Sequence, residues 1–117
     1  MDPYRQLAAT LAEDGIRCYF QSPGQMVVST QAGPVWPDLG NSFWVTHAGG
    51  RWHLFTWSPV GYRVPEGTDI ARLCRVCMAH GSRAMAKVPP HIALEFGLSE
   101  LSDEEAEAVY AEMDKAR

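Results

Sequence analysis

Residues 43–57 read FWVTHAGGRWHLFTW, and a third of them are Phe or Trp in a chain that is 10% aromatic. Two runs rich in aromatic and β-branched residues meet at Ala48-Gly49-Gly50, the pattern of a β-hairpin. A two-residue turn at Gly49-Gly50 sets Thr46 opposite His53 and His47 opposite Trp52. One face of the hairpin then carries Phe43, Val45, Trp52, Leu54 and Thr56, and the other carries Trp44, Thr46, His53, Phe55 and Trp57. A three-residue turn with a bulge instead pairs His47 with Arg51 and Val45 with His53, which brings both imidazoles to one face. The register at Ala48-Gly49-Gly50 is open between these two. In the first register both faces are apolar, whereas a half-solvated antiparallel sheet alternates apolar with polar residues. Such a hairpin needs a cover on each side, or it offers one apolar face to a partner.

The flanking sequence supplies candidate covers. Asp2 and Pro3 open a helix that Gly15 stops, with Tyr4, Leu7, Ala8 and Leu11 on one face. IRCYF and QMVVST form a hairpin around Pro23-Gly24, and after SPVG the run YRV makes a further strand. Between the hairpins, residues 31–41 (QAGPVWPDLGN) form a loop that Trp36 pins down. TDIARLCRVCMAHG is a helix capped by Thr68, with Asp69 in its first turn and Gly81 ending it. VPPHIALEFG is a short helix opened by Pro90 and stopped by Gly97. Ser102 and Glu105 form a capping box, with Leu101 and Ala106 as its staple, for a last helix whose apolar face is Ala106, Val109, Tyr110 and Met113. Residues 83–88 are assigned to neither helix nor strand.

These elements predict an α+β fold in a single domain over residues 1–117. The expected architecture is an antiparallel meander sheet of about five strands, with an N-terminal helix and two to three C-terminal helices packed on it. The simplest arrangement puts the helices on one face. Trp36, its loop and the HIALEF helix are the expected cover for the other.

Composition narrows the function classes. No apolar run approaches the roughly 20 residues that span a bilayer, and three cysteines do not make a disulfide framework. A cytoplasmic location without membrane contact is therefore expected. The net charge of −4 concentrates in residues 98–117, which hold seven acids and two bases, while residues 51–87 hold six bases and two acids. That basic excess is too sparse for a duplex nucleic-acid partner.

LCRVCMAH raises metal and redox chemistry. Yet Ile70, Leu73, Cys74, Cys77 and Met78 share one helical stripe, with Arg72 and Arg75 outside it, so the two cysteines read as core residues. Cys74 also lies more than a turn inside its helix, away from the terminus that lowers a redox thiol's pKa. His47 and His53 read as surface residues flanking a turn. The acids of SDEEAEAVYAEMD suit a helix N-terminus and a solvent face. No motif for a phosphate, dinucleotide, metal or cofactor occurs.

The sequence thus points to binding rather than catalysis, with no cofactor and no metal. Its first expectation is a module that meets a protein partner, or a second copy in a homodimer, through Trp44, Phe55 and Trp57 with Arg51, His53, Tyr62 and Arg63 nearby. Its second is a small-molecule pocket between the sheet and residues 89–97, lined by Trp36, Trp57 and Tyr62. A thiol enzyme using Cys18 or Cys74, or a metal-dependent one, stands third.

Overall fold

A computed structural model describes residues 2–29, 42–80 and 87–115. Trp36 and its loop, Gly81, and residues 83–86 of the unassigned segment lie outside the described residues, so the readings made of them stay expectations.

The elements follow in the order α1 (Pro3–Ala12), β1 (Arg17–Ser22), β2 (Gln25–Ser29), β3 (Ser42–Ala48), β4 (Arg51–Phe55), β5 (Gly61–Arg63), α2 (Ile70–His80), α3 (Pro90–Phe96), β6 (Ser99–Glu100) and α4 (Asp103–Lys115). The strands form one antiparallel sheet in meander order β1-β2-β3-β4-β5-β6. The α+β meander expected from the sequence is present, with a sixth strand of two residues beside β5.

Local chemistry sets the boundaries. The Asp2 carboxylate accepts from the Tyr4 N–H at the start of α1. At its end the Ile16 N–H donates to the Leu11 carbonyl and the Gly15 N–H to that of Ala12, a Schellman closure that needs Gly15 at φ +75°. Asp69, rather than Thr68, caps α2 by accepting from the Arg72 N–H at 3.1 Å. At α4 the Ser102 N–H donates to Glu105 Oε1 and the Glu105 N–H to Ser102 Oγ, completing the capping box.

The central hairpin takes the two-residue register. Thr46 pairs with His53, His47 with Trp52, and Ala48 with Arg51. Gly49 and Gly50 both have positive φ, 64° and 79°, the backbone of a type I′ turn. His47 and His53 therefore lie on opposite faces and share no ligand position.

Both faces are covered by helices, giving three layers. On one side Val45, Leu54 and Tyr62 pack with Leu7 and Leu11 of α1, Leu73 and Cys74 of α2, and Ile92 and Phe96 of α3. Tyr62 is 4% exposed, and its hydroxyl accepts from the Val88 N–H at 3.1 Å. On the other side Val27, Trp44, Ala48 and Phe55 pack under Val109 of α4, with Ala106, Tyr110 and Met113 at the margin. The expectation of helices on a single face is thereby corrected. The second cover is α4, whose narrow apolar stripe matches a strip of sheet only a few side chains wide, while α3 packs on the first face with α1 and α2.

Candidate functional site

The residues singled out in the sequence separate in space. Trp44 and Phe55 are cross-strand partners whose rings stack at 4.3 Å, and they are 4% and 0% exposed. Tyr110 of α4 lies over both, at 6.4 and 5.5 Å. The exposed patch expected of these two rings is thus corrected, because α4 buries them. Trp57 is partly buried beside this layer and donates its indole N–H to Ser42 Oγ at 2.8 Å. Tyr62 belongs to the opposite layer, so Trp57 and Tyr62 do not line one pocket between the sheet and residues 89–97.

The remaining three, Arg51, His53 and Arg63, do meet. Cross-strand pairing sets Thr46, His53 and Arg63 in a row over β3, β4 and β5 on the α4 face, one step from the Ala48–Arg51 pair. Beside this row α4 leaves a cleft of about 320 Å³, lined by His53, Arg51, Arg63, Glu105, Leu101 and Val109 among others. Two small side chains, Ala48 of β3 and Ala108 of α4, are among the residues that line the gap.

His53 is the unusual member. It is 6% exposed, and Nδ1 is buried with no hydrogen-bond partner, the one such side-chain nitrogen or oxygen among the described residues. Burial lowers its pKa, and the guanidinium groups of Arg63 and Arg51 lower it further, so the imidazole is held neutral. The surface position expected from its nearness to a turn is corrected, since a helix some fifty residues later closes over it. Arg63 forms an ion pair with Glu105, whose pKa is lowered first by its hydrogen bonds with Ser102 and then by Arg63.

Two other features carry less chemistry. A depression of similar volume lies between α1 and the start of α2, but its Asp69 is spent on the cap. Cys74 and Cys77 are buried, at 0% and 3% exposure, and Cys18 is half-buried; loss of water contact pushes Cys77 up to about 12 and Cys18 up to about 11. Cys74 is also raised, chiefly by burial, so none of the three is a ready thiolate at neutral pH. No group of three or more metal-ligating side chains occurs among the described residues. No described helix is long and apolar enough to cross a membrane.

No protein-family model matches the chain, and no curated protein and no solved structure matches it significantly.

Proposed function

We propose that the chain is a small-ligand-binding module whose site is the cleft between β4, β5 and α4. The observation that supports this reading is the convergence of Arg51, His53 and Arg63 with the apolar side chains of Leu101 and Val109 on one cleft. The apolar lining, from Leu101 and Val109, would hold the body of the ligand. Cytoplasm is the proposed location, consistent with three cysteines that form no disulfide.

A fragment screen followed by two-dimensional amide NMR tests the reading. Binders should shift the amides of Ala48, Gly49, His53 and Val109. Ala108→Trp, placed at an exposed position of α4, should fill the cleft and abolish those shifts without changing the circular dichroism spectrum. A null screen, or binders that map elsewhere, would defeat it.

Self-association is a second reading, and it has its own support. β1 is an edge strand with no charge from Cys18 to Ser22, and its Phe20 is 54% exposed. Edge strands usually carry charge, proline or a cover; the opposite edge, β6, is only two residues long and includes Glu100. Antiparallel pairing of two β1 strands about Phe20 would bury both rings. Sedimentation equilibrium should then show a dimer that Phe20→Lys converts to monomer, and a monomer at high concentration would refute it.

A further inference from the structure

Two arginines and two glutamates line the cleft, and they are unevenly paired. Arg63 is matched by Glu105, and Glu112 is matched by Lys115 at 3.0 Å. Arg51, exposed beside the Gly49-Gly50 turn, makes no ion pair among the described residues. Among the described residues the Arg51 guanidinium is therefore left without an ion-pair partner on the cleft that His53 also lines. Leu101, Ala108 and Val109 supply an apolar wall within the same cleft.

We propose that the cleft binds a small organic carboxylate with a short apolar body, the carboxylate engaging Arg51 and His53 and the body lying along Leu101, Ala108 and Val109. The assignment rests on the reading of the cleft as a ligand site and adds the chemical class of the ligand. A guanidinium fork matches a carboxylate in shape and charge, and an imidazole N–H can donate to the same anion. A cleft of about 320 Å³ lies at the small end of ligand sites, which suits a compact acid.

A proton linkage follows. The charged and titratable groups that bear on His53 are Arg51 on its own strand, His47 from β3, Arg63 from β5, and Glu105 from α4, with Glu112 of α4 on the same cleft. In the empty cleft the two arginines oppose protonation of the imidazole. A bound carboxylate offsets them and favours the imidazolium, so binding takes up a proton and tightens as pH falls from about 7 to about 5.5, where the ligand remains ionised.

Octanoate and benzoate, each compared with its neutral amide, are suitable probes in NMR titrations that follow the His53 imidazole and the Arg51 side chain. The acids should saturate the cleft and bind more tightly at the lower pH. The amides should bind at least roughly tenfold more weakly, and Arg51→Ala should cost the acids about tenfold. His53→Gln should fold and lose the pH dependence. Amides binding as tightly as acids, or acids indifferent to Arg51→Ala, would overturn the carboxylate assignment while leaving the cleft a ligand site. Silence from all four probes beside positive cleft fragments would overturn it equally. Inorganic phosphate binding as tightly as octanoate would overturn the apolar body, and a null fragment screen would remove both readings together.

Discussion

On the face that carries Leu54 and Tyr62, three helices interlock over a continuous apolar layer in which Val45, Leu54 and Leu73 are completely excluded from water. On the face that carries Trp44 and Phe55, one helix lies over a ring stack, and only Val109 of that helix is buried. Both faces exclude water from their strands, but they do so by different means. The first relies on many aliphatic contacts distributed over three elements. The second relies on two large rings, Trp44 and Phe55, which stack on each other beneath Val109 and Tyr110 of a single helix. An economical cover leaves room at its side, and the cleft with His53 occupies that room.

Four measurements can break or sharpen this contrast. Leu54→Ala, at 0% exposure in the three-helix layer, should cost about 3 kcal/mol in urea unfolding, as large-to-small core changes do. Gly61→Ala should cost about 2 kcal/mol, because a Cβ there would stand 2.5 Å from Phe55 Cε2 and 2.9 Å from Cδ2 and Cζ. That variant reads how tightly the ring is seated on β5. Val109→Ala should cost only about 1.5 kcal/mol from the methyl surface lost, and its α4 amides should exchange with solvent before those of α1. A cost equal to that of Leu54→Ala, or global exchange of α4, would show the two covers to be equivalent.

The smallest effect is a pH slope. His53 has a folded pKa below its unfolded value of about 6.5. Between those values the unfolded chain holds more protons, so this contribution is complete above about pH 6.5 and is lost as pH falls toward the folded value. Unfolding at about pH 7 and about pH 5.5 should differ by at most about 1 kcal/mol from this source, and His53→Gln should remove the difference.

Much of the fold was legible because its signals are local. The Asp2 and Gly15 caps, the Ser102–Glu105 box, the Pro90 and Gly97 limits of α3 and the existence, though not the register, of a hairpin at Ala48-Gly49-Gly50 each depend on residues within one turn of chain. The two-sided apolar hairpin was legible as well, as a demand for a second cover. The stripe Ala106, Val109, Tyr110 and Met113 was in view, but no local rule says which face of a distant sheet an amphipathic helix will choose. β6 was missed because two exposed residues carry no periodicity. His53 misled for the same reason as α4: polar neighbours and a nearby turn describe its sequence, while its burial comes from a helix elsewhere. Arg51, His53 and Arg63 line one cleft, but Trp44 and Phe55, which the sequence places beside them in an exposed patch, are buried.

The position of α4 at residues 103–115 has a bearing on synthesis. A ribosome delivers all of β1 to β5, with Trp44 and Phe55, well before it delivers the helix that covers them. Until then the nascent chain displays an aromatic strip to its surroundings, and any stall or truncation ahead of Asp103 would make that display permanent. A chain cut short before α4 should therefore expose Trp44 and Phe55 and aggregate more readily than the full chain.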